Sequence, residues 1–120
     1  MFWLIMILET ILALSAVDYD HLARAVQVEA APNTMDEYCV AASILNRVAS
    51  PYYEGFLYRR PAANPLVIGR LKNTEKLLEA SKIIGSRTDF KGQTMLPYRV
   101  VSEDPMCDSR GNFYHYHWQS

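Results

Sequence analysis

Leu22-Ala-Arg-Ala-Val-Gln-Val-Glu-Ala30, the turn Ala31-Pro-Asn33 and Thr34-Met-Asp-Glu-Tyr-Cys-Val-Ala-Ala-Ser-Ile-Leu-Asn-Arg-Val48 read as two consecutive helices, and the rest of the chain is understood around them. In the first, Leu22, Val26 and Glu29 fall on one face at i, i+4 and i+7, so an apolar stripe ends in a carboxylate. Asp18 or Asp20 is the candidate N-cap, and the helix is predicted to run to about Ala30. In the second, Thr34 with Glu37 three residues later has the form of a capping box. Tyr38, Ala41, Ala42, Leu45 and Val48 make its apolar face, and Ala41, Ala42 and Ser43 are small enough for close helix packing. Ser50-Pro51 ends it, because the residue before a proline avoids the helical region.

Downstream, residues 51–72 are punctuated by Pro51, Gly55, Pro61, Pro65 and Gly69 and read as irregular. Asn73 or Thr74 can cap a third helix, Glu75 to Ile84, with Leu77, Leu78, Ser81 and Ile84 facing inward and Gly85 as its stop. After Gly92 the pattern shifts. Tyr98 to Val101 and Phe113 to Trp118 are short aromatic and β-branched runs suited to strands, separated by the turn signals Asp104-Pro105 and Asp108-Ser-Arg-Gly111. Helices followed by a small hairpin make an α+β layout. No repeat, low-complexity segment or internal linker divides the chain.

Upstream, Phe2 to Val17 is almost wholly apolar. It is shorter than the roughly 20 apolar residues of a comfortable membrane span. The first cation is Arg24, so the basic start of a signal peptide is missing. Leu4, Ile7, Leu8, Ile11, Leu12 and Ser15 recur at helical spacing. A helix packed on the domain or on a partner, an export or anchor segment, and a poorly ordered tail are the three readings, and the packed helix is preferred.

The 120 residues fit one core. A hydrophobic share of 50% and a charged share of 21% are ordinary for a globular chain. The formal net charge of -1 and the scattered cations argue against nucleic acid, whose phosphates need clustered Lys and Arg. The tightest cluster, Arg59-Arg60 with Arg70 and Lys72 further on, reads as a solvated loop or as a surface for a carboxylate-bearing partner. Cys39 and Cys107 are either one bridge between a helix and a late loop or two separate thiols. No C-x-x-C, phosphate-binding glycine loop or G-x-S-x-G is present.

Glu29 is the candidate catalytic residue. A carboxylate on an apolar stripe is costly to bury, and partial burial favours its protonated form. A protonated carboxyl can donate to a glycosidic oxygen. Otherwise Glu29 is a helix-end acid reaching into solvent. A second carboxylate is usual in glycosidases, but Glu37 is explained by the capping box and Asp36 by the helix N-terminus. Without one, the sugar's own hydroxyl can close on the anomeric carbon. In the run Phe113-Tyr-His-Tyr-His-Trp118, Phe113, His115 and His117 share one face of a strand and Tyr114, Tyr116 and Trp118 the other, which could stack on sugar. His115 and His117 with a distant His21 are too few ligands for a metal site, and structural histidines are the preferred reading.

The block over 22–30, followed by Val40-Ala-Ala-Ser-Ile-Leu-Asn-Arg-Val48 and Ser50-Pro51, resembles the SleB-like cell wall hydrolases, the family of spore cortex-lytic enzymes. Their pattern looks like L-A-R-x-x-x-x-E-A, then A-V-A-x-x-I-L-N-R-V, then S-P. Asp89-Phe-Lys-Gly-Gln93 is similar to a family segment before its first late strand. Arg110-Gly-Asn-Phe-Tyr-His-Tyr116 looks like the closing strand, and Gly111 to Trp118 resembles cyanophage versions. The chain departs from the family at Val28, where a glycine is usual, and at Pro97 and Tyr98.

The resemblance implies a lysozyme-like, lytic-transglycosylase-like α+β domain over 18–120, preceded by the apolar segment 1–17. It implies peptidoglycan cleavage between N-acetylmuramic acid and N-acetylglucosamine with no metal or other cofactor. Glu29 falls on the family's catalytic glutamate. Asn46, Tyr98, Tyr114 and Tyr116 are expected to contact substrate, with Asn46 and Arg47 buttressing the floor of the cleft and the tyrosines forming its wall. Peptidoglycan is the expected partner, with phage tail or baseplate proteins, or less readily a membrane, reached through residues 2–17. The virion or the host cell envelope is the expected location. A tail protein of the same fold with weak or no catalysis is the alternative.

Overall fold

The structure, a computed structural model, describes residues 2–48, 61–95 and 103–117. Five helices, α1 (Phe2–Leu12), α2 (Ala16–Glu29), α3 (Met35–Val48), α4 (Pro65–Leu71) and α5 (Thr74–Ile84), surround one core beside two strands, β1 (Asp89–Lys91) and β2 (Phe113–His115). The layout is α+β, and helix dominates it.

The centre is α3. Instead of one apolar face, every residue from Asp36 to Leu45 is buried, and Val48, expected inward, is exposed. A helix enclosed on all sides needs small side chains wherever a neighbour comes close. Ala41, Ala42 and Ser43 supply them, and α2, α4, α5 and β1 all pack against α3.

The helix ends follow local chemistry, with two departures from expectation. The cap of α2 is Ser15, earlier than Asp18 or Asp20. Its hydroxyl accepts from the Asp18 backbone N–H while the Asp18 carboxylate accepts from the Ser15 backbone N–H, a reciprocal box. These bonds hold the Asp18 carboxyl below its usual range. The box expected from Thr34 and Glu37 does not form. Glu37, itself buried, is drawn into a pair with the partly exposed Arg70 and accepts from the Asn33 backbone N–H, and the Thr34 hydroxyl donates to the Ala31 carbonyl. Asn73 caps α5 and Gly85, at φ 61°, ends it as expected.

Residues 65–71, expected to be irregular, are helical. Asn64 caps the turn and Pro65 occupies its first position, where the missing N–H costs nothing. Gln27 of α2 holds this start at both ends of its amide, donating to the Ala62 carbonyl and accepting from the Asn64 N–H.

The apolar N-terminal segment is a packed helix. Ile7 and Ile11 of α1 are buried in the same core as α2 to α5, and α1 lies chiefly on α5. The division expected between residues 17 and 18 falls inside the first turn of α2. No helix among the described residues is long and apolar enough to cross a membrane.

β2 pairs antiparallel with β1, register Asp89↔His115 and Lys91↔Phe113. The strand expected over Tyr98 to Val101 lies outside the described residues. β2 ends at His115, short of Trp118, which also lies outside them. Tyr114 and His115 are both fully buried, so the alternation of faces expected along 113–118 does not describe burial here. The cysteines form a disulfide, Cys39–Cys107, with Cα atoms 6.6 Å apart, which pins the loop before β2 to the middle of α3.

Candidate active site

Four pieces of backbone converge where α2 ends and α3 begins. The last turn of α2 carries Glu29. The first turn of α3 carries Asp36. The loop running from Cys107 to β2 carries Asp108, Arg110, Gly111 and Asn112, and Gly92, Gln93 and Thr94 after β1 close the far side. Together they line an open cleft of about 350 Å³, within the usual size range of ligand pockets. A second cleft of like volume, walled by Leu14, Leu22, Leu45 and Val48 with His21, is mostly aliphatic, and its Asp18 is engaged in the cap of α2.

The cleft floor is a buried polar knot. Asp36 is 2% exposed. Its Oδ1 accepts from the Tyr114 hydroxyl, and its Oδ2 accepts from the Asn112 side-chain amide at 2.7 Å and from the Asn112 backbone N–H at 3.3 Å. The Asp36 backbone N–H, one of the donors a helix start leaves without an internal partner, donates to Asp108 Oδ2. Gly111 lies so close that a Cβ there would stand 2.8 Å from Asp36 Cγ. Gln93 braces the same loop, donating to the carbonyls of Ser109 and Gly111.

Burial pushes the Asp36 carboxyl above its ordinary value, and the nearby Asp108 charge adds to this. The bonds from Tyr114 and Asn112 pull the other way without cancelling it. Burial, then the Asp36 charge, drive the Tyr114 phenol far above its usual value, so it remains an O–H donor at any working pH.

Glu29 lines the cleft but is exposed, so the partial burial expected of it is not found. The stripe through Leu22 and Val26 goes into the core, and Glu29, at the end of the helix, emerges at the lip.

None of the described residues expected to contact substrate lines this cleft. Asn46 donates from one amide to the carbonyls of Gly85 and Arg87, at 2.9 and 2.7 Å, and Arg47 donates to the Thr88 carbonyl while its guanidinium lies 5.2 Å from the Phe90 ring centre. The Asn-Arg pair therefore clamps the turn leading into β1. Tyr114 is buried beneath the floor. Tyr116 lies under the Arg87 guanidinium, 4.8 Å away. Tyr98 falls outside the described residues, as do Arg59 and Arg60. His115 is fully buried and His117 sits 3.9 Å from Asp89, and among the described residues no three metal-ligating side chains come together.

In the sequence Asp108 reads as no more than a turn residue, Asn112 only as part of the run that resembles a closing strand, and Asp36 as a helix-start charge. The signal for Asp36 lay in the small-residue run of α3, since a helix enclosed all round encloses its acidic first turn as well. Compared with known proteins, the chain matches no family model, no curated protein and no solved structure.

Proposed function

We propose that this protein is a lysozyme-like, lytic-transglycosylase-like enzyme that cleaves peptidoglycan strands between N-acetylmuramic acid and N-acetylglucosamine, as a phage lysis or tail-associated cell wall hydrolase. The observation that carries the proposal is Glu29 at the lip of an open cleft with a hydrogen-bonded polar floor, together with the resemblance of the helical blocks around it. Glu29 donates its proton to the glycosidic oxygen as the bond to the anomeric carbon breaks. A hydroxyl of the same sugar then bonds to that carbon and returns its proton to Glu29. A glycan seated over the lip excludes water from the carboxyl. Asp36 is too fully engaged to serve as nucleophile. Asp108 has one oxygen on the start of α3, and a two-carboxylate hydrolysis would have to use the other.

Turbidity loss of purified peptidoglycan tests the assignment. Glu29→Gln is expected to lower the rate by at least about a hundredfold, and full activity in that variant defeats it. Anhydro product ends support the intramolecular route, whereas reducing ends assign hydrolysis and direct attention to Asp108.

Exposed apolar residues near the N-terminus, Ile5, Met6, Leu12 and Val17, favour a second reading, a tail component that docks through this surface. Peptidoglycan binding without released fragments would support it.

A further inference from the structure

We infer that Asn112 is the positioning residue of the cleft, holding the last turn of α2, and with it Glu29, against the buried Asp36. The inference rests on the proposed role of Glu29. Asn112 is 6% exposed. Its amide nitrogen has two hydrogens to give, and both partners are in reach: the Glu29 backbone carbonyl at 3.1 Å and Asp36 Oδ2 at 2.7 Å. The Glu29 carbonyl belongs to the final turn of α2, where carbonyls have no partner within the helix. Asn112 therefore caps α2 from outside and ties that cap to the first turn of α3.

The bridge has little freedom. Asp36 is held from its other side by Tyr114, and the Asn112 backbone N–H also donates to it. Gly111 packs directly on the Asp36 carboxyl, and Gln93 fixes the Gly111 carbonyl. Cys107, bonded to Cys39 of α3, anchors the loop a few residues before. An acid at the end of a helix otherwise moves with the fraying of that end. A misplacement of about 1 Å can cost a hundredfold in rate, so a fixed carbonyl on Glu29 itself matters to the chemistry.

Asn112→Asp is nearly isosteric and turns a donor into acceptors facing two acceptors. Amides in the last turn of α2 are expected to exchange hydrogen faster than in the wild type. On purified glycan strands kcat is expected to fall about tenfold to a hundredfold, with KM changed by less than about twofold. Combining Asn112→Asp with Asp36→Asn restores the side-chain bond in reverse, gives up the longer 3.3 Å bond from the residue-112 backbone N–H, and leaves a carboxylate against the Glu29 carbonyl. This double variant is expected to regain part of the melting temperature lost in Asn112→Asp without regaining kcat. Recovery of kcat in the double variant, or unchanged exchange in the single one, overturns the inference. A wild-type protein that releases no glycan fragments overturns the functional reading instead, and the exchange measurement, which needs no substrate, still decides whether Asn112 holds α2.

Discussion

Glu29 and Asp36 are carboxylates on the same cleft with opposite surroundings. Asp36 is enclosed, accepts three hydrogen bonds and keeps its proton to higher pH than an ordinary aspartate. The folded protein then binds more protons than the unfolded chain over the range above the ordinary value of 3.8, and stability falls as pH rises through it. One such proton contributes a slope of at most about 1.4 kcal/mol per pH unit. Asp36→Asn, which cannot ionise, is expected to lack that slope. Urea unfolding from pH 4 to 7 should show the wild type's advantage over the variant shrinking as pH rises. Glu29 is exposed, so Glu29→Gln is expected to change stability by less than about 0.5 kcal/mol, and a loss of lysis in that variant would be chemical. The stripe ending in Glu29 was visible in the sequence as an anomaly. Its exposure was not, because periodicity assigns a helix face and leaves open whether a neighbour covers the last turn.

Between α3 and α4 the decisive contact is ionic. Glu37 is 1% exposed and takes both a side-on pair from Arg70, at 2.9 and 3.0 Å, and the Asn33 backbone N–H. The bonds from Glu37 hold the Arg70 guanidinium above its usual value, outweighing burial. The Tyr38 hydroxyl donates to the Arg70 carbonyl, so the short α4 is tied at one residue by side chain and backbone. The Arg70 side chain keeps 25% of its surface exposed while Glu37 is buried, so Arg70→Ala, which strands the Glu37 charge, is expected to cost about 1–3 kcal/mol in chemical denaturation. Replacing both residues together, Glu37→Leu with Arg70→Met, is expected to cost less than the single change. The sequence suggested a capping box for the same Glu37, since Thr34 and Glu37 have its spacing. Arg70 lies 33 residues away, and no local rule sees it. The α5 boundaries were legible for the opposite reason, because Asn73 and Gly85 act within one turn of the helix they delimit.

Across the molecule, the disulfide closes a loop of 68 residues that contains α4, α5 and β1. In the chain-entropy picture a loop of this length contributes about 4 kcal/mol by restricting the unfolded chain. Reduction, or Cys39→Ala with Cys107→Ala, is expected to lower the free energy of unfolding by about 2–5 kcal/mol. Urea titration with and without reductant measures this. The bridge also sets the loop that carries Asp108 and Asn112, so lysis of peptidoglycan by the proposed mechanism is expected to weaken on reduction.

The sequence alone determined whatever depends on neighbours within a few residues: helical spacing in the apolar N-terminal segment, the two helices around Pro32, the capped start and glycine stop of α5, and an acid at the end of α2. Only the tertiary structure decided which polar groups became the cleft floor. Asp36, Asp108, Asn112 and Tyr114 are separated by up to 78 residues and become partners only when β2 and its loop settle onto α3. It also placed Asn46 on the turn into β1 and Tyr114 beneath Asp36, neither of them lining the cleft. The physical reason is the same in each case: a short-range pattern records which side chains can face the interior, whereas the pairing of buried polar groups depends on what the fold brings opposite them.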